Sequence, residues 1–196
     1  MFPMEILKIK LRKFEVISKE SEDVIIAKHG KKIYKITKFD PKTTEGDNYA
    51  YCINRVSTCG IKTPKLLLID RKHGYVIREH VEGERVIDII AREDLSEDIY
   101  KQLFENAYFA KVNRITINYE PDKWVVSNGI LYYFDSFFTI YNPDEDLVRK
   151  YIRLWFPTKE LNAYLKKFSL RLDESRTKEE YVANKEIVLM TCKYYK

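Results

Sequence analysis

Gly60-Ile61-Lys62-Thr63-Pro64-Lys65-Leu66-Leu67-Leu68-Ile69-Asp70 is followed, after the turn Arg71-Lys72-His73-Gly74, by Tyr75-Val76-Ile77-Arg78-Glu79-His80-Val81-Glu82-Gly83-Glu84-Arg85-Val86. Two runs of aliphatic and aromatic residues separated by a glycine turn read as paired strands. The second run leaves its strand through Glu79-His80-Val81-Glu82-Gly83, a Glu-x-Val-x-Gly turn. The chain before this stretch reads as strands followed by one helix, and the chain after it reads as mostly helix with one small hairpin.

The amino-terminal side opens with Phe14-Glu15-Val16-Ile17 and Val24-Ile25-Ile26-Ala27, divided by the polar turn Ser18-Lys19-Glu20-Ser21-Glu22-Asp23. His29-Gly30-Lys31 turns the chain into Lys32-Ile33-Tyr34-Lys35-Ile36, so a three-stranded meander is expected. Thr43-Thr44-Glu45 marks a helix start, with Tyr49, Cys52, Ile53 and Val56 at helical spacing and Gly60 ending the element. On the carboxyl-terminal side Val86 to Ile90 opens a helical region, and Ile99 to Val112 forms a longer helix with Ile99, Leu103, Phe104, Ala107 and Tyr108 on one face. Ile115 to Val126 reads as a loop entering a strand. Asn128-Gly129 is a hairpin signal that returns the chain as Ile130-Leu131-Tyr132-Tyr133-Phe134-Asp135. Beyond Asp144 the pattern is helical with a break at Pro157. Tyr194 and Tyr195 near the end read as packing residues or as a partner surface.

The 196 residues are enough for one domain, or one with two tightly joined lobes, and 45% apolar with 33% charged residues is a globular composition. No apolar run reaches the ~18 residues of a membrane span. Met1 to Arg12, where Ile6, Leu7, Ile9 and Leu11 alternate with lysines, has neither the apolar centre nor the cleavage site of a secretory signal, so a cytoplasmic protein is expected, with no membrane partner. Three cysteines without a Cys-x-x-Cys spacing indicate neither a disulfide framework nor zinc. His29 and His73 each precede a glycine and read as turn residues. The net charge of +5 and 15 tyrosines are the whole case for a nucleic-acid-binding module, and no basic cluster interleaves with aromatics at a readable spacing.

The Gly-Ile-x-x-Pro run at Gly60 to Pro64, the Glu-x-Val-x-Gly turn, and the order meander, helix, two strands, helical half resemble the protein-kinase-like superfamily: aminoglycoside phosphotransferases, RIO kinases and small archaeal kinases predicted to act on serine or threonine. The resemblance covers about Phe14 to Trp155. It implies an α+β, two-lobed fold, with a small antiparallel β-sheet lobe over 1–83 and a mostly helical lobe over 84–196 of a single domain. It also implies ATP, with Mg2+ or Mn2+, as cofactor, and phosphoryl transfer to a protein or small molecule.

Phosphoryl transfer needs a cation on the phosphates, a metal ligand, a group orienting the nucleophile and a backbone cover. The resemblance places Lys35 on the phosphates, although strand alternation alone leaves its direction open and Lys32 and Lys38 compete. It asks the following helix for a carboxylate; Glu45 and Asp47 are available, while the aligned position falls near Asn48 or Tyr49. Glu45 reads equally well as a first-turn acid favoured by the helix dipole. Glu79 and Val81 fall on the hinge that meets the adenine. The phosphate-covering turn, Ser18 to Asp23, has three acids and no glycine, a departure that disfavours phosphate. The Asp-x-x-x-x-Asn catalytic pattern falls on Asn118 and Lys123. Asparagine is no general base and lysine no magnesium ligand, so Glu120 or Asp122 would have to substitute, or the chain is a pseudokinase that serves as a binding scaffold. Asp135, directly after an apolar strand, falls on the metal-binding acid, and it reads alternatively as a turn former or helix cap.

Overall fold

The computed structural model describes residues 6–10, 12–135, 137–176 and 179–195. Leu11 in the amino-terminal alternation, Ser136 beside Asp135, and Lys196 lie outside the described residues. The chain divides into two compact units, residues 1–55 with 63–81, and residues 56–62 with 82–196. The architecture is α+β, a six-stranded antiparallel sheet followed by a mostly helical part, as the order of sequence patterns predicts.

The first unit contains β1 (Ile6–Ile9), β2 (Arg12–Lys19), β3 (Val24–His29), β4 (Lys32–Lys38), β5 (Leu66–Asp70) and β6 (Tyr75–Glu79). They form one antiparallel sheet in the order β1-β2-β3-β4-β6-β5. The expected three-stranded opening is thus four-stranded. β1 was not foreseen because its lysine-rich alternation lacks the β-branched density of its neighbours. Ile9, Phe14, Ala27, Ile36 and Ile77 close over one sheet face as a small buried core, with the Tyr34 ring edge-on to Phe14 at 5.7 Å. Gly74, at φ +71°, is required in the β5–β6 turn, since a Cβ there would lie 2.2 Å from the Phe39 carbonyl oxygen. α1 (Glu45–Thr58) begins in this unit. Asp47 in its first turn binds Arg71, with Nη2 2.6 Å from Oδ1.

The second unit holds α2 (Val86–Arg92), α3 (Glu97–Val112), α4 (Lys159–Leu165) and α5 (Glu180–Tyr194). Its strands are β7 (Glu84–Arg85), β8 (Ile115–Ile117), β9 (Trp124–Ser127), β10 (Ile130–Tyr133) and β11 (Phe138–Ile140), in two small antiparallel sheets ordered β10-β9-β7 and β11-β8. Ile115 to Ile117 is therefore a paired strand and not a loop. The core is built on Trp124, Trp155, Tyr133, Phe104 and Leu103, all at most 1% exposed. Two of its polar side chains bond to backbone carbonyls: Trp155 Nε1 donates to the Tyr119 carbonyl at 2.8 Å, and the Tyr100 hydroxyl donates to the Trp155 carbonyl at 2.9 Å. Asn128 and Gly129, at φ +49° and +74°, make the tight β9–β10 turn that their sequence demands. Gln102 of α3 clamps it, donating to the Gly129 carbonyl at 2.8 Å and accepting from the Leu131 amide at 2.9 Å.

The stretch beyond Asp144 is less regular than its pattern suggested. A π-helical turn at Leu147–Tyr151 runs into a 3-10 turn at Ile152–Trp155, and α4 starts only after Thr158 caps the Leu161 amide at 3.1 Å. Tyr194 and Tyr195 pack on Phe104, with ring centroids 6.2 and 6.5 Å away, and the Tyr195 hydroxyl donates to Asp146. They pack against the core of this unit and stay half-buried. Among the described residues no helix is long and apolar enough to cross a membrane.

Candidate functional site

In the first unit, β-pairing decides the direction that alternation left open for Lys35. Ile36 faces the buried core, so Lys35 points to the opposite face, in register with Ile26 on β3 and Arg78 on β6. Its side chain is only 16% exposed. Lys32 and Lys38, at the strand ends, are exposed. Lys35 Nζ donates to Glu20, from the turn between β2 and β3. Glu45 is exposed in the first turn of α1, its amide donating to Thr43 Oγ1 at 3.3 Å. Of Asn48 and Tyr49, near which the aligned helix position falls, Tyr49 has its ring 5.8 Å from the Arg78 guanidinium. In the turn expected to meet the adenine, the Glu79 amide donates to the Lys65 carbonyl at 2.8 Å, Glu79 is exposed and Val81 is half-buried.

In the second unit the residues expected at the catalytic loop come together. β8 delivers Asn118, a 3-10 turn at Pro121–Lys123 delivers Asp122 and Lys123, and the end of β10 delivers Asp135. Asn118 and Glu120 lock each other. Asn118 Nδ2 donates to Glu120 Oε2 at 3.0 Å, and the Glu120 amide donates back to Asn118 Oδ1 at 2.9 Å. The loop is anchored from both sides, by the Asn118 amide on the Tyr133 hydroxyl at 3.1 Å and by Trp124 Nε1 on the Asn118 carbonyl at 3.1 Å. Lys123 Nζ lies 2.8 Å from Asp122 Oδ2, and Asp122 Oδ1 accepts from the Tyr164 hydroxyl. The hydrogen bond to Asp122 raises the Lys123 pKa against the opposing effect of burial, and the charges of Asp122, Asp135 and Glu120 add to the rise. Burial, then the bond to Asp122, raises the Tyr164 hydroxyl. The Lys123 ammonium is thus paired with Asp122 and lies within the electrostatic reach of Asp135 and Glu120.

Asp135 and Asn118 also line an open cleft of about 370 Å3, with Tyr133, Phe137, Glu145 and Tyr151 on its walls. Among the described residues no three His, Cys, Asp or Glu side chains meet as a self-sufficient metal cage. A magnesium ion that comes with a nucleotide needs only one or two protein carboxylates, because phosphate oxygens complete its shell. The donor chemistry fits that case. Lys123 and Asp122 offset each other, and Glu120 and Asp135 leave a local negative charge that would repel bare phosphates. The sequence reading missed three features: Glu20 as the partner of Lys35, Arg78 beside it, and Tyr164 on Asp122. Pairing Ile36 with Ile77 would have exposed the second, since it places residues 35 and 78 side by side.

No protein-family model and no curated protein matches this sequence. Among solved structures, the choline kinase LicA from Streptococcus pneumoniae is similar over 97% of this chain and 85% of its own, with a TM-score of 0.44 and 16% sequence identity.

Proposed function

We propose that the chain is an atypical ATP-dependent kinase-like protein, a single two-lobed domain acting in the cytoplasm, that transfers a phosphoryl group to a hydroxyl of a protein or small molecule. The observation that carries this reading is the convergence of the loop that holds Asn118, Glu120 and Lys123 with Asp135 from the end of β10. Lys35 and the hinge at Glu79 and Val81 take the nucleotide; Glu45 is the helix acid left for the pairing role, since Asp47, which lies nearer to the family's position, is bound by Arg71. Asp135 would hold Mg2+ or Mn2+. That ion, when bound, bridges and neutralises phosphate oxygens.

The chain's own residues supply the rest. Glu120 is the base: a carboxylate oriented by the Asn118 amide, as a base is commonly oriented by a third group. Asn118 therefore positions where the pattern has the base itself. Lys123 places an ammonium, fixed on Asp122, where charge develops on the transferred group. Asp122, engaged by both Lys123 and Tyr164, is structural. The finer family reading, RIO-like or archaeal, rests on the sequence motifs alone. The test is ADP release with wild-type and Glu120→Gln protein. Loss of a general base lowers kcat by about a hundredfold or more, and an unchanged kcat removes Glu120 from the chemistry.

A second reading, a pseudokinase that binds a partner and transfers nothing, is favoured by the mutual locking of Asn118 and Glu120, which takes up both polar groups of the asparagine. Nucleotide binding with no ADP release above background in any metal would select it.

A further inference from the structure

Lys35 and Arg78 stand opposite each other on β4 and β6, on the sheet face away from the small core, and both are largely buried, with Arg78 5% exposed. Like charges directly opposite on a ladder repel, and burying them removes the water that would screen them. Such a pair persists where anionic groups are held against it. The carboxylate on Lys35 comes from Glu20, in the acidic turn where the kinase pattern has a glycine-rich phosphate cover. Glu20 is 43% exposed, at the solvent side of the pair. Tyr49 presents its ring to the Arg78 guanidinium at 5.8 Å and so helps to fix the plane of a group that matches phosphate oxygens two at a time.

The geometry points to a two-cation anion subsite, Lys35 with Arg78, that takes the phosphate chain of a nucleotide and in which Glu20 is a built-in competitor, sitting on Lys35 until phosphate displaces it. The identity of the anion as a nucleotide's phosphates rests on the proposed function; the paired-cation subsite does not. The acids of this turn are then no bar to phosphate, because Glu20 leaves when phosphate arrives. Solvent reaches the Glu20 end of this ion pair and weakens it, so the acid can leave while Lys35 stays in place.

The test is calorimetric titration of the full chain with inorganic tripolyphosphate and, separately, with ATP. Glu20→Gln should bind tripolyphosphate about two- to fivefold more tightly than wild type, the range set by a half-exposed ion pair. Arg78→Met should lose most of the binding, and Arg78→Lys should recover only part of it, because an ammonium cannot grip two oxygens. Thermal melting identifies a variant that fails to fold, in which case Arg78→Lys carries the comparison. Tripolyphosphate affinity indifferent to Glu20→Gln, or equal in wild type, Arg78→Lys and Arg78→Met, overturns the inference. ATP binding that ignores Arg78 overturns it too while leaving the nucleotide reading intact. Glu20-sensitive tripolyphosphate binding with ATP no tighter supports the subsite and removes the nucleotide.

Discussion

At Gly83, the glycine that closes the Glu-x-Val-x-Gly turn, an added Cβ would lie 2.4 Å from the Val126 carbonyl oxygen and 2.7 Å from Val125 Cγ1. Backbone cannot yield there without disturbing the β7–β9 pairing, so Gly83→Ala should destabilise the protein by about 1–3 kcal/mol, read in urea denaturation. An unchanged midpoint would mean the turn is not held against β9. Two acids two residues apart make a sharper contrast. Asp122 accepts from Lys123 and from the buried Tyr164. Asp122→Asn should therefore cost about 1–3 kcal/mol of stability, while Glu120→Gln should change stability little. Both measured in the same urea series, a reversed order would make Glu120 the structural acid and remove it as the base. Sequence alone named Glu120 and Asp122 as equal substitutes. What separates them is Tyr164, 42 residues further on, and no local pattern links the two.

Among elements, the β5–β6 turn couples charge to pH. Asp70 is fully buried, which alone would raise its carboxyl; hydrogen bonds from the His73 ring at 3.0 Å and the His73 amide at 3.2 Å, with the charges of His73 and Lys10, outweigh burial and hold it below its usual range. A carboxyl whose folded pKa is depressed stabilises the fold above its unfolded value, about 3.9, and that contribution is lost as pH falls through the folded value. Melting temperatures should thus fall more steeply below about pH 4 for wild type than for Asp70→Asn; parallel curves would mean the turn carries no such linkage. Elements joined to their sequence neighbours were legible: the β3–β4 and β5–β6 hairpins, the Asn128-Gly129 turn, α1 and α3. Those depending on distant partners were not. β8 pairs with β11, about twenty residues later, across a segment without periodicity, and the π-helical turn at Leu147–Tyr151 is set by core packing around Trp155.

For the molecule as a whole, the order of strands and helices carried the α+β architecture, because hydrophobic period and turn residues change together at the Glu79 to Gly83 hinge. The candidate site was legible as a set of positions within each unit and illegible in its charges. Lys35 shares its site with Glu20 and Arg78, and Lys123 shares its own with three acids. The central claim is that this charge pattern binds a nucleotide through a metal held by Asp135. The most direct test is calorimetric titration of wild type and Asp135→Ala with ATP, in Mg2+, in Mn2+ and without either. Binding should need the ion and be lost in Asp135→Ala. Binding that ignores both the ion and the substitution, or none at millimolar nucleotide, would contradict it.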